Sequence, residues 1–177
     1  MSTASTGQTL RVATAADADA LSAFGRGAFT DAFAADNRPE DLLAYLDSAF
    51  SPEIQRRELQ NPSSLCLLME RDGTLIAYAT LRFDTVSPFV DDPSAIEIQR
   101  FYVDRSGHGT GLAQTLMSAC IDVAERRGAG TLFLGVWQIN AKALRFYGKQ
   151  GFQVVGEQMF RMGTDEQGDF VMARPLR

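Results

Sequence analysis

One stretch constrains this chain more than any other: Phe101-Tyr102-Val103-Asp104-Arg105-Ser106-Gly107-His108-Gly109-Thr110-Gly111-Leu112-Ala113. An apolar strand runs into a glycine-rich turn and then straight into a segment with Leu112, Leu116, Cys120 and Val123 at helical spacing. Such a turn leaves backbone N–H groups unpaired at the positive end of a helix, which suits a diphosphate. Gly109 and Gly111 present no side chain to obstruct an approach, and Ala113 lets the first helical turn pack closely. Two familiar phosphate loops do not fit. No Gly-Lys-Ser or Gly-Lys-Thr closes the turn as in a P-loop. Counted from Gly107, the third glycine of a dinucleotide fingerprint falls on Leu112, and no acidic residue ends the next strand. The plain reading of these glycines alone is a tight turn.

The remaining pattern is mixed. Thr9 to Ala13 reads as a strand, and Thr14 caps a helix carrying Leu21, Phe24, Ala28, Ala32 and Phe33. Pro39 opens a second helix with Leu42, Leu43, Leu46 and Phe50 as its apolar stripe, and Ser51-Pro52 a third that ends near Asn61-Pro62. Leu65 to Glu70 and Leu75 to Phe83 flank a hairpin turn at Arg71-Asp72-Gly73-Thr74. A strand over Ala95 to Val103 leads to the glycine turn, whose helix should stop at Arg126-Arg127-Gly128. Thr131 to Trp137 is a strand, Asn140 to Gln150 a helix closed by Gly151, and Phe152 to Phe160 with Asp169 to Ala173 a closing strand pair. The expectation is one mixed α/β domain over residues 9–177, with residues 1–8 as a flexible N-terminus.

Composition narrows the partners. A net charge of −5 argues against nucleic acid and suits a cationic substrate. No apolar run is long enough for a membrane span, and Met1 to Gly7 lacks the basic and apolar regions of a secretory signal, so a cytoplasmic address is expected. Cys66 and Cys120 lie in apolar runs and read as buried thiols, not as a disulfide or a metal pair.

A second constellation lies at Trp137-Gln138-Ile139-Asn140-Ala141-Lys142-Ala143-Leu144-Arg145-Phe146-Tyr147-Gly148-Lys149-Gln150-Gly151-Phe152. Alone, Asn140 reads as a helix cap and Tyr147 as a core aromatic. Together with the glycine turn they resemble the two cofactor motifs of the GCN5-related N-acetyltransferases. In that family a Gln or Arg is followed, after two residues, by Gly, one residue, and Gly or Ala; here the segment is His108-Gly109-Thr110-Gly111-Leu112-Ala113. The second motif, an Asn before a helix with a Phe-Tyr pair and a closing Gly-Phe, is met by Asn140, Phe146-Tyr147 and Gly151-Phe152. His108 departs from the pattern at the cost of one side-chain contact. A looser likeness, carried by Phe29-Thr30-Asp31-Ala32-Phe33, Pro39 to Leu46 and Asp169-Phe170-Val171-Met172, is to bacterial polyamine acetyltransferases of the PaiA type.

The resemblance implies a central, mostly antiparallel and splayed seven-stranded sheet flanked by four or five helices. It implies acetyl-coenzyme A as co-substrate, no metal, and a small-molecule amine such as spermidine or spermine as acceptor. A homodimer is left open. Phe101, Tyr102 and Val103 would pair with the pantetheine arm, the amides from His108 to Ala113 would hold the diphosphate, and Asn140 and Lys149 would contact the cofactor. Arg105, Lys142 and Arg145 are looser candidates. Tyr147 would protonate the leaving thiolate. Alternation puts Glu97, Gln99, Phe101 and Val103 on one strand face, so Glu97 is the candidate base, against a role as a surface partner of Arg100 or Arg82. Asp31, Asp36, Glu40, Asp41 and Asp47 are the acidic group that would attract a polyamine. Rival acceptors are a protein N-terminus, a lysine or a small amine drug; a rival class is a non-catalytic sensor of acyl-coenzyme A.

Overall fold

The computed structural model describes residues 7–176; of the expected flexible N-terminus, residues 1–6 lie outside the described residues. Strand β1 (Gln8–Val12) is followed by α1 (Ala18–Phe33), α2 (Pro39–Ala49) and α3 (Pro52–Leu59). Prolines open α2 and α3, where a missing N–H costs nothing. The hairpin β2 (Ser64–Arg71) and β3 (Thr74–Arg82) turns through Asp72 and Gly73, both at positive φ. Then come β4 (Ile96–Val103), α4 (Leu112–Arg126), β5 (Thr131–Trp137), α5 (Ala141–Lys149), β6 (Gln153–Met162) and β7 (Asp165–Pro175).

The seven strands form one sheet in the order β1-β2-β3-β4-β5-β7-β6. Every neighbouring pair is antiparallel except β4 and β5. That parallel pairing lasts only for Ile96 with Leu132 and Glu97 with Phe133. Beyond it β4 and β5 diverge, which is the expected splay. One face of the sheet packs under α4, with Leu116, Met117 and Cys120 against Leu81, Ile98 and Leu132. The other carries α1 to α3, with Leu21 over Leu68 and Tyr78, and Phe29, Leu42 and Phe50 in a separate cluster. The thiols of Cys66 and Cys120 are buried in different clusters, and burial pushes each up to about 12.

Three expectations change. Leu43 is exposed and does not belong to the buried stripe of α2. The last hairpin is longer than its apolar pattern: β6 runs to Met162 and β7 starts at Asp165, paired out to the turn, and Asp41 near the start of α2 latches that turn. Its carboxylate accepts from Thr164 N at 2.7 Å and Thr164 Oγ1 at 2.9 Å, which holds it below the usual range. The third change matters most. Leu81 pairs with Ile98 and Thr80 with Arg100, so Gln99 bulges out of β4. Parity reverses there. Ile96, Ile98, Phe101 and Val103 share the α4 face, and Glu97 falls on the opposite face with Arg100 and Tyr102.

Arg100 is 7% exposed, and its guanidinium holds β4 to the helices. It pairs with Glu58 of α3, donates to Ala49 O at 2.9 Å, and lies 5.0 Å from the centre of the Phe50 ring. Burial works against its charge, and the Glu58 carboxylate more than offsets that, leaving the guanidinium firmly protonated. Removing Glu58 strands a buried cation. Urea unfolding of Glu58→Ala should show a loss of about 3 kcal/mol, and an added Arg100→Met should restore most of it; an unchanged midpoint in Glu58→Ala would refute the pair's role.

Candidate functional site

Where β4 leaves β5, the sheet opens into two adjoining cavities. The larger, about 820 Å³, runs from the glycine turn along β4 beneath α1. The smaller, about 230 Å³, lies on the α2 side, against β5, β6 and β7. Phe101, Tyr102, Asn140, Ala143 and Tyr147 line both. With Ala32 of α1 also shared, the cavities meet along the face of α5 that runs from Asn140 through Ala143 to Tyr147.

The glycine turn is built as its residues demand. Asp104 accepts from Ser106 N at 3.0 Å, and Gly107 N closes back on Asp104 O at 2.9 Å. Gly109 and Gly111 sit at φ 76° and 88°, where a side chain would be strained, and Gly111 leads into α4. Not every amide of the turn is free. His108 N bonds Arg105 O at 3.1 Å and Thr110 N bonds Gly107 O at 3.3 Å. Among the described residues, the N–H groups of Gly109, Gly111, Leu112 and Ala113 have no acceptor. The expected row of donors from His108 to Ala113 is thus reduced to these four, joined by Gln114 in the first turn of α4.

His108 is exposed and bridges two groups. Its Nε2 lies 3.2 Å from Val103 O and its Nδ1 2.8 Å from Lys142 Nζ. A carbonyl only accepts and an ammonium only donates, so the contacts require the proton on Nε2. The ring thereby steers Lys142 to the larger cavity, which Lys142 lines. Arg105 lines it too and faces Asp31 of α1 at 3.5 Å. Lys149, two turns further along α5, is exposed and lies outside both cavities. Asn140 caps α5, its Oδ1 accepting from Ala143 N at 3.1 Å.

Phe101, Tyr102 and Val103 pair with β3 on one side only, since β4 has no partner on its β5 side beyond Glu97. That leaves an open strand edge along the larger cavity, and its donors and acceptors match an extended amide-bearing chain. Phe101 and Phe146 wall Tyr147 at ring distances of 6.2 and 5.4 Å. Burial raises its phenol above the ordinary range and keeps it protonated at neutral pH. Free donors at a helix start, nearby cations and an open strand edge fit a diphosphate-bearing thioester.

Glu97 does not belong to this arrangement. The bulge at Gln99 turns it away from the face of Phe101, beside Arg82, and it lines neither cavity. Of the acidic group Asp31, Asp36, Glu40, Asp41 and Asp47, Asp31 alone lines a cavity, the larger one. Asp31 faces Arg105, Glu40 pairs with Arg38, Asp47 with Arg26 at 2.9 Å, and Asp41 is buried under Thr164. The carboxylate that does face the small cavity is Asp169 on β7, 8% exposed and flanked in register by Trp137 and Gln158. In the sequence Asp169 figures only in a tail likeness; the signal that points to it is a lone acid on the inward face of an apolar strand. Among the described residues no group of His, Cys, Asp and Glu is arranged for a metal, and no helix is long and apolar enough to cross a membrane.

Comparison with known proteins agrees with this geometry. An uncharacterized N-acetyltransferase of Mycobacterium tuberculosis is 33% identical over 160 residues, covering 90% of this chain and 98% of its own. The spermine/spermidine N(1)-acetyltransferase of Bacillus subtilis is 31% identical over 80 residues, 45% of this chain and 49% of its own. The crystal structure of the PaiA N-acetyltransferase of Thermoplasma acidophilum, in complex with coenzyme A, superposes with a TM-score of 0.76 at 20% identity, covering 95% of this chain and 98% of that one. The model of the acetyltransferase (GNAT) family matches residues 29–152, and this chain belongs to that family.

Proposed function

We propose that the chain transfers the acetyl group of acetyl-coenzyme A to a primary amine, both held at once, with a polyamine of the spermidine or spermine type as acceptor. The observation that carries this reading is the meeting of the two cavities at Tyr147. The larger takes the carrier and the smaller the amine, so donor and acceptor approach from opposite sides of one phenol. Confinement of both reactants supplies several kcal/mol of the barrier reduction without a covalent intermediate. The polyamine part draws on the name of the Bacillus subtilis relative.

The roles follow from position. The free amides of Gly109, Gly111, Leu112 and Ala113, with Lys142 beside them, hold the diphosphate. The open edge of β4 at Phe101 to Val103 pairs with the pantetheine arm, and Asn140, at the shared wall, orients it. Bound acetyl-coenzyme A supplies the activated acyl group. Tyr147, kept protonated by burial, donates to the departing sulfur as the C–S bond breaks, and the proton released by the nitrogen that forms the amide bond returns to its phenolate, directly or through water. The nitrogen that attacks must be neutral, and a free alkyl amine is charged below a pH of about 10.4, so turnover rises through the mildly alkaline range.

Free thiol release from acetyl-coenzyme A with a panel of amines tests the reading. Turnover is expected with spermidine and spermine; turnover on peptides alone would remove the polyamine part, and coenzyme A binding with no turnover on any amine would mark a sensor. Tyr147→Phe should lower kcat about 10²-fold with coenzyme A affinity unchanged; an unaltered rate would end its role as acid. In calorimetric titration, Lys142→Ala should weaken coenzyme A binding about fivefold, while Lys149→Ala should stay within about twofold. The reverse order would place the phosphates at the far end of α5.

A further inference from the structure

The small cavity holds a carboxylate with nothing to pair it. Asp169 is 8% exposed, and among the described residues no hydrogen bond or ion pair reaches its side chain. Arg100 lines the same cavity, but its guanidinium is committed to Glu58 and Ala49 O. Its oxygens open onto the cavity and not into packed core, so a carboxylate is presented there to whatever enters. Trp137, Phe33, Tyr45 and Phe160 wall the cavity, with Phe33 and Trp137 ring centres 5.9 Å apart and Tyr45 and Phe160 5.3 Å apart. Aromatic faces around a single carboxylate form a receptor for an alkyl ammonium.

We propose that Asp169 and these aromatic walls hold one charged nitrogen of the acceptor, and that the acceptor therefore carries a second amine, the one that is acetylated. The second part follows from charge. An ammonium paired with a buried carboxylate is stabilised in its protonated form and has no lone pair with which to attack. The nucleophile must be another nitrogen of the same molecule, reaching the junction at Tyr147. A diamine already carrying one charge loses its second proton more readily, because like charges repel. The small cavity thus selects diamines and polyamines over simple alkylamines. The chemistry rests on the transferase reading; the binding does not.

Burial raises the Asp169 carboxyl to about 6, so it is neutral below that pH and charged above it. The titratable and charged groups facing it are Tyr45 from α2, Arg100 and Tyr102 from β4, and Tyr147 from α5. Burial holds the three phenols protonated and Glu58 holds the guanidinium charged, so none of them changes state between pH 5 and 8. Diamine affinity should therefore fall as the pH drops through about 6.

The test is calorimetric titration of the full chain with 1,4-diaminobutane and n-butylamine. The wild type should bind the diamine at least about tenfold tighter, and Asp169→Asn should abolish the difference while coenzyme A affinity stays unchanged. A second variant keeps the carboxylate. A Cβ at Gly135 would stand 3.3 Å from Asp169 Oδ2, so Gly135→Ala should narrow the cavity and also weaken diamine binding. Equal affinity for the two amines, no binding of either, or an Asp169→Asn variant that binds the diamine like wild type would overturn the proposal. Diamine binding that depends on Asp169 without thiol release would instead sink the transferase reading alone. Turnover indifferent to Asp169 would sink only this site.

Discussion

The two-residue pairing of β4 with β5 is the constraint from which everything else in this molecule follows. A parallel ladder continued for its full length would close the sheet and leave no cavity between α1 and α5. Its early end leaves one edge of β4 without a partner strand at the place where Phe101, Tyr102 and Val103 meet the glycine turn. An open edge is ordinarily a liability that a protein covers. Here helices α1 and α5 flank it, so it faces the larger cavity and not a flat surface.

What holds β4 in this divergent course is the packing on its two faces. Ile98, Phe101 and Val103 are fixed under α4, while Arg100 reaches through the other face to α3 and the end of α2. The bulge at Gln99 is what allows an arginine and a run of apolar residues to find opposite sides.

Much of this was legible in the residues. Strand and helix order, the hairpin at Asp72-Gly73 and the helix stop at Gly128 all follow from turn chemistry and helical spacing, whereas Tyr147 by spacing alone reads as a core aromatic and is singled out only by the family resemblance. The failures share a cause. Strict alternation placed Glu97 beside Phe101, but one extra residue in a strand reverses every side chain before it, and Gln99 carries no mark of a bulge. Asp31, Asp36, Glu40, Asp41 and Asp47 stand as one acidic group in the sequence, which shows charges but not their partners or that Asp31 alone reaches a cavity. Lys149 and Lys142 are indistinguishable by type, and only the path of α5 decides which faces the cleft. Asp169 was visible as part of a tail motif, yet its isolation among aromatic rings is a property of four separate segments brought together.

The latch between Asp41 and Thr164 has a consequence for how such a molecule diversifies. It joins the start of α2 to the tip of the β6–β7 hairpin, and these two segments supply Tyr45, Phe160, Met162, Gln167 and Asp169 to the small cavity. The glycine turn, α4 and Lys142 lie elsewhere. Helix and hairpin can therefore be exchanged together, as one clamped module, while the opposite half keeps its shape. A substitution in either segment would be transmitted to the other through this latch, while the half that carries the glycine turn would be spared the disturbance.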